Sequence, residues 1–253
     1  MCALASPFVT DVKSHPPTAT HPALPTYLSG TEAHGLLSEG QPVAQFQLGD
    51  YGNFVYLIID WSAREAALVD SRKEIEPIAL ALSKHGLKLT KLLLTHTHWD
   101  HVHGIAEAKA LAPGAPIFVH ELDRGRLRDS DEQVHLVSDG EKLQLGTTEI
   151  EVMHTPGHSA GEVSYRLAAR DGHPPFLFTG DTLFVRECGR TDLPTGNNEE
   201  MFRSLSRIKA LDPATVILPG HQYAREAASN LSRELVESPP LLCQTEAELA
   251  ALP

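Results

Sequence analysis

The chain has 253 residues, 42% of them hydrophobic, enough apolar material for one large domain or two small ones. Its formal net charge of −12, with no cluster of Lys or Arg, argues against the basic stripe of a nucleic-acid binder, and no apolar run approaches the ~20 residues of a membrane span. Cys2, Cys188 and Cys243 lie far apart without Cys-x-x-Cys spacing, and no basic-then-apolar secretory signal opens the chain, so reduced thiols and a cytoplasmic location are expected.

Residues 1–40 are rich in Pro, Thr, Ser and Ala and read as a poorly ordered or extended arm, outside a single domain spanning 41–253. Residues 45–48 and 53–59 have strand character around the hairpin-type turn Gly49-Asp50-Tyr51-Gly52. A short strand over 66–69 ends at Asp70, and 75–85 has helical periodicity with Gly86 as its stop. A strand over 91–95 follows, then a histidine-rich loop, a short helix over 105–111 and a strand over 116–120. The charged run that includes Glu121, Asp123, Arg124, Arg126, Arg128, Asp129, Asp131 and Glu132 reads as a solvated helix or loop. Residues 142–145 and 149–154 form a hairpin around Gly146, with further strands over 162–167, 175–179 and 215–218. An amphipathic helix is expected over 199–211 and a final helix over 223–237, the second stopped by Pro239-Pro240. Hairpins mixed with β-α-β connections predict an α/β chain of two sheets packed face to face, with helices outside, in four layers.

The chemistry gathers where the apolar run Leu92-Leu93-Leu94 stops at Thr95-His96-Thr97-His98-Trp99-Asp100-His101. A strand end delivers such residues to the rim of a sheet, where sites are built. Three later segments repeat the arrangement with a glycine before the ligand-type residue: Pro156-Gly157-His158, Thr179-Gly180-Asp181 and Pro219-Gly220-His221. Any one histidine here would more often be structural. Imidazoles and carboxylates converging from four strand ends point to a metal site, with Zn²⁺, Fe²⁺ or Mn²⁺ as suitable ions.

The strings T-H-T-H-W-D-H, T-P-G-H, T-G-D-T-L-F and P-G-H-Q-Y, in this order, resemble the metallo-β-lactamase fold superfamily in its glyoxalase II branch, from about Val43 onward. The resemblance implies an αββα sandwich with two divalent metal ions, zinc first, at the sheet edges. It implies His96, His98 and His158 on one metal, Asp100, His101 and His221 on the other, and Asp181 bridging the pair. The implied activity is hydrolysis of a small-molecule thioester, hydroxyacylglutathione-like, by a metal-bridging hydroxide, with Asp100 orienting the water; a lactone or other ester is attacked by the same chemistry. No nucleic-acid or membrane partner is implied, and nothing in the residues sets the oligomeric state.

Three places depart from that branch, one of them His103, which stands where the family usually has the first of two glycines. The loop that carries a lysine and a tyrosine in glyoxalase II has Arg190 and Asp192 here, and Arg190 is suited either to grip a substrate carboxylate or to pair with Asp192. Only 32 residues follow His221, 253 minus 221, fewer than the helical domain that completes the thiol site in that branch. The Cys188-Gly189-Arg190-Thr191-Asp192 string also resembles persulfide dioxygenases of the same superfamily, mononuclear iron enzymes whose ligands would map to His96, His158 and Asp181. Trp99 favours the hydrolase, since those dioxygenases carry alanine there. Cys188 reads as a packed thiol, and His103 as a surface histidine. His15, His21, His34, His85, His120, His135, His154 and His173 read as structural or solvated.

Overall fold

The computed structural model describes residues 27–29, 37–125, 127 and 133–252. One sheet runs in the order β1 (Tyr27–Ser29), β2 (Val43–Leu48), β3 (Asn53–Asp60), β4 (Glu65–Val69), β5 (Lys88–Leu93), β6 (Ile117–His120) and β7 (Val134–Val137). The other runs from β13 (Ser229–Asn230) through β12 (Val216–Pro219), β11 (Phe176–Gly180), β10 (Val163–Leu167) and β9 (Thr148–His154) to β8 (Lys142–Leu145).

Strand periodicity explains how the sheets stack. All of β3 is buried, and its side chains alternate between two cores. Phe54, Tyr56 and Ile58 join Val69, Leu93, Val163, Tyr165, Phe178 and Leu218 between the sheets. Val55, Leu57 and Ile59 face the opposite way, onto Ile78 and Leu82 of α1 (Glu76–His85) and Ala108 of α3 (Ile105–Leu111). On the second sheet, Leu177 and Ile217 turn outward onto Met201, Leu205 and Ile208 of α5 (Asn198–Lys209), Leu231 of α6 (Leu231–Glu237) and Leu249 of α8 (Glu246–Ala250). Helix, sheet, sheet, helix is the four-layer order expected from the pattern.

Several elements differ from the expectation. The predicted helix over 223–237 begins only at Leu231, because Ser229 and Asn230 pair with β12 as an edge strand. Asn230 then caps the helix, its side-chain oxygen accepting from the Arg233 amide at 3.0 Å. Pro239 and Pro240 do not simply stop it. Proline fits a first helical turn, and they open α7 (Pro239–Leu242). Of the expected arm, Tyr27–Ser29 adds a parallel strand beside β2 and Leu37 is buried in the core, while residues 1–26 and 30–36 lie outside the described residues. Within the charged run, Glu121–Arg124 forms the single turn α4, and Asp123 is buried rather than solvated. Residues 126 and 128–132 of that run lie outside the described residues.

Asp60 fastens one end of the sandwich. Its carboxylate accepts from the Ala63 amide and Ser62 hydroxyl of its own turn, and from the Thr147 amide and the Thr147 and Thr148 hydroxyls of the β8–β9 hairpin. Burial alone would raise its pKa, but these donors together hold it well below the usual carboxylate range. A depressed folded pKa contributes stability that is present above the unfolded value, about 3.9, and is lost as pH falls through the folded one. Asp60→Asn is therefore expected to cost about 2 kcal/mol at pH 7. Denaturant titrations of both proteins should show the gap closing below about pH 4.

Candidate metal centre

Topology puts the ligand-type residues on one rim. Strands β4 and β5 are parallel, as are β11 and β12, and β9 points the same way as β11 because both are antiparallel to β10. The carboxyl ends of these strands carry Asp70, His96, His158, Asp181 and His221. Backbone hydrogen bonds join the rims of the two sheets: the Val163 amide donates to the Thr95 carbonyl at 2.8 Å, and the Phe54 amide to Gly220 at 2.8 Å. Two glycines permit the close approach. Gly180 has φ +49°, and a Cβ there would press on Thr95 and Glu162; a Cβ on Gly220 would run into the Asp181 carboxylate.

Three groups of ligand atoms result, each within 4.8 Å of one another: His96, His98 and His158; His96, His101 and Asp181; and Asp100, His101 and His221. His98 Nδ1 stands 2.8 Å from His158 Nε2, and His101 Nε2 stands 3.1 Å from His221 Nε2. Asp181 spans the set, its Oδ1 3.4 Å from His101 Nε2 and its Oδ2 3.5 Å from Nε2 of both His158 and His221. The short helix α2 (Trp99–Val102) turns Asp100 and His101 inward, with Asp100 Oδ2 3.2 Å from His221 Nε2.

The outer nitrogens settle which way the rings point. His158 Nδ1 donates to the Arg190 carbonyl at 2.8 Å and His221 Nδ1 to the Tyr51 carbonyl at 3.1 Å, so both turn Nε2 to the centre. His101 Nδ1 meets Asp70 Oδ2 at 2.8 Å, and the same carboxylate accepts from the Thr95 amide and hydroxyl. Asp70 itself sits at φ +57°, an uncommon backbone state for a residue with a side chain. The sequence marked it only as the end of a strand.

Three other supporting residues escaped the sequence reading. Asn53, the first residue of β3, donates to Asp100 Oδ2 at 2.9 Å. Glu162 is fully buried and accepts from the Asp181 amide at 2.6 Å. Asp123 of α4 accepts from the Thr97 amide, the Ser159 hydroxyl and the Gly161 amide, so one carboxylate clamps the His96–His98 loop to the His158 loop. None lies in a histidine motif, and an acidic residue in a charged run carries no local mark of burial. Asp123→Ala should leave those three donors unpaired and reduce metal affinity about 10- to 100-fold, measured by competition with a chromogenic chelator.

Electrostatics sort the groups. Complete burial and the neighbouring imidazoles hold His96 well below the usual histidine range, leaving its ring neutral. Burial lowers His101 too, but the Asp181 and Asp70 carboxylates outweigh it and raise the ring well above the ordinary value. Asp181 stands at about 2: burial would raise it, and the charge of His101 leads the effects that hold it down. Asp100 is likewise held below the carboxylate range against its burial, first by its hydrogen bond to His221 and then by His101 and Asn53. Burial, then repulsion from Asp181, pushes Glu162 well up.

These residues fit a divalent cation. His96 Nε2 and Asp181 Oδ1 are buried without a hydrogen-bond partner, which costs free energy unless something else pairs with them. With both outer nitrogens committed as donors, His101 Nε2 and His221 Nε2 face each other at 3.1 Å, where a cation can take the place of the proton that the Asp181 and Asp70 carboxylates hold on His101. The model of the metallo-beta-lactamase superfamily matches residues 48–221, well over half of the chain. The chain belongs to this superfamily. Within it, the cytoplasmic hydroxyacylglutathione hydrolase of Arabidopsis thaliana is 38% identical over 174 residues, covering 68% of this chain and 64% of its own length. The chain thus spans just under two thirds of that relative. ETHE1 from Myxococcus xanthus superposes with a TM-score of 0.71 at 28% identity, over 83% of this chain and 92% of that one. TTHA1623 in a di-iron-bound form gives 0.65 at 29%, over 76% and 97%. The two-sheet, four-layer architecture is that of the superfamily, whose fold brings divalent metal binding with it.

Around the candidate centre, Arg190 is exposed and forms a two-pronged pair with Asp192, Nε to Oδ1 at 2.6 Å and Nη2 to Oδ2 at 2.7 Å. Cys188 packs against the outer helical core, and burial pushes its thiol up to about 12, which suits an inert side chain. Outside the ligand set, the His120 and His154 rings stack at 4.1 Å, and His103 lies edge-on to Trp99 at 5.7 Å. His15, His21 and His34 lie outside the described residues. Among the described residues, no helix is long and apolar enough to cross a membrane.

Proposed function

We propose that the chain hydrolyses a small thioester, a hydroxyacylglutathione or a close relative, at two divalent metal ions, zinc in the first instance. The observation that carries this reading is the reach of one carboxylate. Asp181 lies within 3.5 Å of ligand nitrogens from His158 of the first group and from His101 and His221 of the last. His96, His98 and His158 would hold one ion and Asp100, His101 and His221 the other, with Asp181 shared. Such a pair of ions supplies Lewis acidity, lowering the pKa of a water and polarising the thioester carbonyl.

The chain's own residues do the rest. Asp100, ionised and anchored by Asn53, accepts a hydrogen bond from the attacking water and orients it. The contacts of His101 with the Asp70 carboxylate and of His158 with the Arg190 backbone carbonyl keep the rings from turning as charge develops. The departing thiol has a pKa near 8.5 and leaves as thiolate with little help from an acid, so no Ser or Cys nucleophile is required. Arg190 exchanges Asp192 for a carboxylate of the thiol half, using the same planar fork. The likeness to the Arabidopsis thaliana hydrolase supports this choice of substrate.

The likeness to Myxococcus xanthus ETHE1 favours a second reading, a persulfide dioxygenase with a single iron on His96, His158 and Asp181. Metal content measured beside two assays separates them. About two metal equivalents per chain and hydrolysis of S-lactoylglutathione, without oxygen uptake on glutathione persulfide, is the expected result. One iron with oxygen uptake and no hydrolysis overturns the hydrolase.

A further inference from the structure

Aromatic side chains are costly to leave in water, and among the described residues the exposed ones are Tyr51, Trp99 and Tyr223, 59%, 54% and 56% accessible. All three stand at the candidate centre. Tyr223 stacks on the His221 ring at 5.0 Å, within 4° of parallel. Trp99 opens the helical turn that carries Asp100 and His101. The Tyr51 carbonyl accepts from His221, while its ring meets Trp99 edge-to-face at 5.2 Å.

The Tyr51–Trp99 pair is held from behind. The Arg72 side chain is 5% exposed, its guanidinium carbon 5.7 Å from the Trp99 ring, and its Nη1 donates to the Asp100 carbonyl at 3.2 Å. A cation against an indole, with the next backbone carbonyl tied to the same group, restrains ring and chain together. Trp99 is thus an exposed ring on a fixed support, as a recognition surface requires and a solvated side chain does not.

The pair also lies on a definite side of the reacting bond. The Arg190 loop abuts the His96–His98–His158 group through His158, and Tyr51 and Trp99 abut the Asp100–His101–His221 group. If the thiol half of a thioester lies along the Arg190 loop, the acyl half extends over the two rings. We infer that Tyr51 and Trp99 form an acyl-binding platform that selects thioesters with a flat, apolar acyl substituent, an aryl ring above all, over small ones. This inference rests on the thioester reading and names the substrate class within it.

S-lactoylglutathione and S-mandeloylglutathione differ only by phenyl in place of methyl, and they isolate the contact. The wild-type chain should turn over the mandeloyl ester with kcat/KM about tenfold higher. Trp99→Ala and Tyr51→Ala should each raise KM for that ester several-fold more than for the lactoyl ester, bringing the preference between the two towards one. Equal losses on both esters, or no preference in the wild type, overturn the platform. A binding measurement separates its failure from failure of the hydrolase. The chain has two tryptophans, so in Trp61→Phe the fluorescence reports Trp99 alone. Titrated onto the metal-free protein, mandelate should shift that emission at concentrations where lactate does not. If neither ester is cleaved but mandelate alone shifts the emission, the platform stands and the thioester reading falls. If neither acid shifts it, the platform falls too, whatever the turnover.

Discussion

Asp181→Asn is expected to abolish metal-dependent turnover, with kcat/KM down about a thousandfold or more. One carboxylate approaches His101, His158 and His221 at 3.4 to 3.5 Å, and its low pKa keeps it ionised throughout the working pH range. An amide of the same shape brings no charge, and its two hydrogens pair with imidazole lone pairs that a cation would otherwise use. Metal analysis should show the bound ions falling well below the wild-type number. The fold should persist, because the Asp181 amide keeps its bond to Glu162 and the substitution leaves Gly180 and Gly220 undisturbed. Unchanged metal content with unchanged turnover would remove Asp181 from the centre.

Asp70→Asn should be almost as damaging without touching a candidate ligand. Asparagine tolerates the positive φ of this position, so the backbone is preserved. The Asp70 Oδ1 atom accepts from the Thr95 amide, and this contact fixes the amide oxygen of Asn on that side. The amide nitrogen then replaces Oδ2, facing the Thr95 hydroxyl and His101 Nδ1. It donates to Nδ1, which forces the ring proton onto Nε2 and removes the lone pair that faces the centre. The same tautomer error costs a catalytic triad about 10⁴ in kcat. A loss of about 10²- to 10⁴-fold is expected here, with metal affinity about 10- to 100-fold weaker. Histidine nitrogen shifts in the NMR spectrum should report the changed tautomer. Recovery of activity in Asp70→Glu, which restores an acceptor, would separate positioning from simple structural damage.

Much of this was legible in the sequence because the relevant physics is local. The continuous apolar run over 53–59, the apolar run before Thr95 and the amphipathic 199–211 segment each report their own strand or helix, so the layers follow from local pattern. The ligand-type residues were legible for a different reason. Imidazoles and carboxylates behind glycines at strand ends are chemically unusual in a row, and each motif is self-contained.

What the sequence could not show depends on residues distant along the chain. Asp70 reaches His101 across 31 positions, Asp123 ties residues 97 and 161, and Asn53 meets Asp100 from the start of another strand. Nothing beside them along the chain distinguishes a carboxylate that will be buried from one that stays in water. The helix expected from 223 failed in the same way, since pairing of Ser229 and Asn230 with β12 outweighed helical propensity. By itself, then, the sequence determined the layers, the strand ends and the residue types that converge on a cation. The tertiary structure decided which carboxylates orient those histidines and which exposed rings stand over them. Ring tautomers and platforms are set by partners that only folding brings within 3 to 6 Å.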